Sequence, residues 1–148
     1  MIERLAQRKG ARGQFRFADE AKGLIPAREG FLLAKSHKGL HVLGRHETDV
    51  RMPLDMLHAT YGTELLIREQ ALGEPVMEVR IGLEKRYLLE VRSALSRRNA
   101  NASEEYDGTH YCVLRFEAPV SDLLGLPVEL ADLTSGRLSH QIVLTGYR

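Results

Sequence analysis

With one cysteine, Cys112, among 148 residues, the chain cannot form an intrachain disulfide or an all-cysteine metal cage, which suits a reducing compartment. No apolar run approaches the roughly 20 residues that a membrane-spanning helix needs. The opening Met-Ile-Glu-Arg-Leu-Ala-Gln-Arg-Lys-Gly carries charge where a secretory signal has its apolar centre. The expectation is a soluble cytoplasmic protein. No Gly-x-x-x-x-Gly-Lys-Ser/Thr occurs anywhere, so the backbone cradle for nucleotide phosphates is missing. Charge of each sign is locally scarce: residues 1 to 50 hold ten Lys or Arg against six Asp or Glu, a net +4, whereas residues 99 to 135 hold only Arg115 against seven carboxylates. The overall charge of +1 conceals this asymmetry. A basic half can meet an anionic partner such as RNA, although a solvated surface is the commoner explanation of so mild an excess.

The length allows one ordinary domain, or a small domain carrying a long N-terminal extension. The difference in texture favours the second, with a basic, glycine-interrupted region at 1–73 and a compact domain at 74–148. In the first, Ile2 to Arg8 has the makings of a short helix, and Gly10 and Gly13 bracket a basic turn. Gln14-Phe15-Arg16-Phe17 alternates like a brief strand, and Phe31–Ala34 and Leu40–Leu43 are short apolar runs that read as small strands. From Asp49, Met52, Met56, Leu57 and Tyr61 fall near helical spacing, with Pro53 in a first turn and Gly62 as a stop; Thr63 to Ala71 adds a further turn of helix.

From Pro75 the pattern is cleaner. Met77, Val79 and Ile81 alternate with Glu78 and Arg80, the period of a half-buried strand. Tyr87, Val91, Ala94 and Leu95 follow at helical spacing and end on Arg97 and Arg98, where a helix C-terminus favours positive charge. Asn99 to Gly108 predicts a turn and a weak edge strand, Thr109 to Glu117 a strand with Cys112, Leu114 and Phe116 on one face, Pro127 the first turn of a helix to about Leu133, and His140 to Thr145 a last strand. The order is βαββαβ, so the fold class is α+β: a ferredoxin-like C-terminal domain preceded by a smaller basic α/β region.

Few residues here carry chemistry by pattern. His37, His41 and His46 with Glu47 or Asp49 offer nitrogen and oxygen donors for zinc, but their spacing is loose and solvated loop histidines account for it. Cys112 lies mid-strand on an apolar face, where a thiol is an inert core group. Glu104, Glu105 and Asp107 form an acidic cluster that suits a solvated hairpin tip. Ser121, Asp122 and His140 contain the letters of a hydrolase triad, but no nucleophile-elbow sequence accompanies them. No cofactor and no metal ligand set is expected.

Two separate stretches carry a resemblance. Glu74-Pro75-Val76-Met77, Val79, Tyr87-Leu88, Val91, Leu95 and Ser96-Arg97-Arg98 form the first; Pro119-Val120-Ser121-Asp122-Leu123-Leu124-Gly125, Leu130, Leu133-Thr134-Ser135-Gly136-Arg137 and Ser139 form the second. Together they resemble the opening strand and helix, and the closing helix and loop, of the last domain of elongation factor G and the tetracycline-resistance ribosomal protection proteins. Asn99 stands where the family has glycine, although Asn tolerates left-handed backbone. Arg8-Lys9-Gly10-Ala11-Arg12-Gly13-Gln14-Phe15 resembles the glycine-rich opening of the preceding domain of elongation factor G, but too few residues separate it from Pro75 for that domain to be complete.

The resemblance implies a non-catalytic ribosome- and rRNA-binding module acting in translation elongation or ribosome protection. Its partners are then the large subunit's RNA and stalk-base protein. Arg97, Arg98 and Arg137 are the expected phosphate contacts, with backbone donors from Thr134, Ser135 and Gly136 beside them, and Arg8, Lys9, Arg12 and Arg16 assisting. Without a phosphate-binding loop, no GTP hydrolysis is expected of this chain alone. A second reading is a ferredoxin-like interaction domain that self-associates through a sheet edge as a homodimer, with Tyr111 and Val113 in contact. A third is a metal-dependent enzyme using the histidine region.

Overall fold

The computed structural model describes residues 1–148. The first half runs β1 (Ile2–Arg8), α1 (Gln14–Lys22), β2 (Phe31–Ser36), β3 (Gly39–Gly44), α2 (Glu47–Tyr61) and β4 (Leu65–Gln70). The second runs β5 (Pro75–Glu84), α3 (Leu88–Arg97), β6 (Ser103–Asp107), β7 (Tyr111–Pro119), α4 (Val120–Leu123), α5 (Leu126–Leu133) and β8 (Leu138–Tyr147). All eight strands share one sheet in the order β4-β1-β3-β2-β8-β5-β7-β6. Each half is therefore a βαββαβ unit with the same internal strand order, and the region expected as a smaller basic α/β lead-in is a second ferredoxin-like unit. Pairing is antiparallel within each unit; the units join where β2 meets β8 in parallel, Lys35 opposite Val143.

The two units place their helices on opposite faces of the sheet. Phe31, Leu40 and Val42 pack with Phe17, Ala21, Val50 and Leu57 from α1 and α2. Their strand neighbours Leu32, Ala34 and Leu43 belong instead to the core of Val91, Leu95, Leu126 and Leu130 from α3 and α5. Strands β2 and β3 are thus covered on both faces, which is why Phe31–Ala34 and Leu40–Leu43 read as unbroken apolar runs rather than alternation. In β5, by contrast, Met77, Val79, Ile81 and Leu83 are fully buried while Glu78, Arg80 and Glu84 turn to the open face. Each buried leucine or isoleucine contributes about 1.5–3 kcal/mol.

Four local expectations are overturned. Ile2–Arg8 is the strand β1, not a helix: seven residues are too few to nucleate a helix alone, and pairing to both β3 and β4 decides the matter. Gln14–Phe17 opens α1 instead of forming a strand, because Phe17, Ala18 and Ala21 are buried at helical spacing. Thr63 to Ala71 holds one short turn and then β4. Pro53 sits inside α2, not in its first turn, since the helix already starts at Glu47 behind a capping box made by His46 and Asp49. In the second half the expected elements are all present; β6 is the exposed edge strand and carries a bulge between Glu104 and Tyr106.

Candidate nucleic-acid interface

Helix α3 ends in a Schellman turn: the Ala100 amide donates to the Leu95 carbonyl and the Asn99 amide to that of Ser96, with Asn99 at φ 60°. Asn99 therefore does hold the left-handed geometry for which glycine is the usual residue. Of the two arginines beside it, Arg97 has a side chain 63% exposed, 3.9 Å from Glu129. Arg98 points inward. Its Nη1 donates to the carbonyls of Leu124 (2.7 Å) and Asp122 (3.2 Å), and its Nε donates to Glu129 (3.2 Å), so it holds the chain between α4 and α5. These bonds engage Nε and Nη1, so Arg98 has a structural role in addition to any contact with phosphate. Replacing Arg98 with alanine is expected to cost about 2 kcal/mol, because charged hydrogen bonds to buried carbonyls are lost. Arg97→Ala is expected to cost less than about 0.5 kcal/mol; urea denaturation of the two variants separates the roles.

The loop after α5 is also more closed than the sequence implied. Thr134 is fully buried and its hydroxyl donates to the Leu130 carbonyl at 2.8 Å. The amides of Ser135, Gly136 and Arg137 donate to Asp132, Ala131 and Thr134, a second helix-ending turn with Ser135 at φ 52° and Gly136 at φ 75°. These backbone donors do not face solvent as a phosphate cradle. Arg137 does, with its side chain 62% exposed and 3.7 Å from Glu84 at the end of β5. Since α3 begins just beyond that end and runs roughly 15 Å before reaching Arg97, Arg97 and Arg137 are separate exposed charges, not one patch.

A denser basic group lies in the first unit. The side-chain amide of Gln14 closes the β1–α1 loop, accepting from the Arg8 amide (3.1 Å) and donating to its carbonyl (2.9 Å). This places Arg8, Arg12 and Arg16 around one open cleft of about 320 Å³ that also holds Gly13, Phe17 and Glu20. Arg8 is steadied by Glu64 (2.7 Å) and lies over the Tyr61 ring. Lys9, Arg12 and Arg16 are exposed.

The remaining candidates are dispersed. His37 packs against Phe15, His46 caps α2, and His41 is buried in the sheet, so the three do not face one another. Burial and then Glu104 push the Cys112 thiol up, as befits an inert core group. Glu104, Glu105 and Asp107 pair with Arg92, Arg80 and Lys85 respectively. Ser121 hydrogen-bonds Glu74, while His140 lies on β8.

One polar constellation went unforeseen. On β3, His41 Nδ1 lies 2.7 Å from Oε2 of Glu3 on β1, and its Nε2 lies 2.6 Å from Oγ of Ser36 at the end of β2. The same Glu3 oxygen accepts from the Tyr147 hydroxyl of β8 at 2.8 Å, so the last strand of the second unit reaches the first strand of the first. Burial and then Glu3 push the Tyr147 phenol up, keeping it a donor. The signal was available in one respect: a histidine within the apolar run Gly39–Gly44 needs buried partners. Glu3 and Tyr147 themselves lie too far from it along the chain to be legible as those partners.

Two ferredoxin-like units fused edge to edge, with charged helix ends and a basic loop, define a double α+β protein. The model of the family described as elongation factor G C-terminus matches residues 71–148. That is more than half of the chain, and the chain belongs to this family of translation-factor domains. Among solved structures, a crystal structure of a protein from Thermus thermophilus is 12% identical with a TM-score of 0.46; the alignment covers 98% of this chain and 40% of that one. The chain thus spans less than half the length of that structure. No curated protein matches it. No helix is long and apolar enough to cross a membrane.

Proposed function

We propose that the chain is a ribosome-binding module without GTPase activity of its own that docks on large-subunit RNA and the stalk-base protein, acting in translation elongation or ribosome protection. The observation that carries this reading is the family match over residues 71–148. Side-chain exposure refines which residues would meet phosphate. Arg97 and Arg137 are the exposed contacts of the second unit, and the Arg8, Arg12 and Arg16 cleft is the basic surface of the first, with Lys9 exposed on the same loop. Arginines present flat, forked donors that suit phosphate oxygens. Pairing of a second copy along β6 has less support, because that edge is bulged and its carboxylates are occupied by arginine and lysine.

The test is co-sedimentation with large ribosomal subunits across a salt series. Binding is expected at low salt and lost as salt rises, because each neutralised phosphate releases counterions. Combined replacement of Arg8, Arg12 and Arg16 by glutamine, and separately of Arg97 and Arg137, is expected to flatten the salt dependence by roughly 0.7–0.9 of a log unit per contact removed. No binding at low salt, or binding indifferent to both sets of replacements, would sink the reading.

A further inference from the structure

We propose that Ser36 is a reactive nucleophile, activated by His41 and Glu3, that accepts acyl groups from small activated esters. The geometry behind this is independent of any ribosomal role. A Glu3 carboxylate can only accept, so the 2.7 Å contact places a proton on His41 Nδ1, and the proposal takes the ring in its neutral tautomer. Nε2 then carries the lone pair, and the Ser36 hydroxyl, 2.6 Å away, donates to it. This is the serine, base and orienting-acid arrangement of acyl-transfer enzymes, which is defined by geometry and roles, not by sequence order.

Three further features separate it from a merely satisfied core histidine. Glu3 is held from its other side by Tyr147, which fixes the carboxylate that fixes the ring. Glu3 and His41 have side chains 4% and 1% exposed, whereas Ser36 sits part-exposed where β2 turns into β3, so the base is shielded and the nucleophile is reachable. The Lys38 amide also donates to Ser36 Oγ at 3.1 Å, which holds the hydroxyl oxygen in place beside Nε2.

The step balances with no further reagent. Oγ attacks the ester carbonyl while its proton passes to Nε2; the bond to the aryl oxygen breaks and the proton follows the leaving group into solvent. Water then attacks the acyl-serine, its proton passing to Nε2 and on to Oγ as the carboxylic acid departs.

The 148-residue chain is treated with p-nitrophenyl acetate, nitrophenolate release is followed, and acetylated residues are located by peptide mass spectrometry. The expected result is acetyl-Ser36 formed about 100-fold faster than in the His41→Asn variant. Ser36→Ala, a change at the rim that leaves the buried pair in place, is expected to abolish the fast phase. This variant decides the matter even where His41→Asn does not fold. Acetyl groups found on lysines with Ser36 unmodified, or release unchanged in Ser36→Ala, overturns the proposal.

Discussion

Replacing Gly39 with alanine is expected to destabilise the chain by about 4 kcal/mol. Gly39 opens β3 at φ 144°, a conformation that side chains rarely adopt, and a Cβ built there falls 2.3 Å from the carbonyl oxygen of Ala6 on β1. Backbone strain of this type costs about 1–3 kcal/mol, and overpacking adds a similar amount. The obstacle is backbone inside the β1–β3 pairing and cannot swing aside as a flexible side chain would. Gly136→Ala is the control: φ is also positive, but open space surrounds the position, and about 1 kcal/mol is expected. Urea denaturation measures both. Equal midpoints for the two variants would show that the close approach to Ala6 does not constrain the sheet.

Glu3→Ala is expected to cost about 4 kcal/mol as well, for a different reason. The substitution strips the partner from two donors, His41 Nδ1 and the Tyr147 hydroxyl. The buried His41 donor left unpaired costs up to about 3 kcal/mol, and the half-buried Tyr147 hydroxyl about 1. Tyr147→Phe, which removes donor and bond together, is expected to cost only about 1 kcal/mol. The difference between the two, read from urea midpoints, reports how far the buried pair depends on its carboxylate. A loss of less than about 0.5 kcal/mol in Glu3→Ala would mean that water or another group takes its place. Because the loss is large, Glu3→Ala is a stability probe and not a suitable variant for assaying Ser36.

Legibility differed sharply between the halves. From Pro75 onward, strands have one open and one covered face, so Met77, Val79 and Ile81 alternate with charges and the period is visible. In β2 and β3 both faces are covered, and the pattern collapses into apolar runs that reveal strands but not which helices cover them. At Ile2–Arg8 and Gln14–Phe17 the segments were too short for either period to win; tertiary pairing chose the strand and burial of Phe17 chose the helix. Among the expected site residues, Arg97 and Arg137 have exposed side chains. Arg98 and Thr134 occupy similar positions in sequence and point into the protein, a distinction set by the chain between α4 and α5 and by the Leu130 carbonyl.

By itself, then, the amino-acid order determined that residues 74–148 form a βαββαβ unit of the elongation factor G C-terminus family, because local period, helix ends and turn residues all agree there. Only the tertiary structure decided that the first half repeats the same topology, that the two units put their helices on opposite faces, and that Glu3, Ser36, His41 and Tyr147 meet. The physical reason is range. Periodicity and capping act over a few residues, whereas edge-to-edge strand pairing and a shared buried carboxylate join groups as far apart as Glu3 and Tyr147, and nothing local to either residue encodes the other.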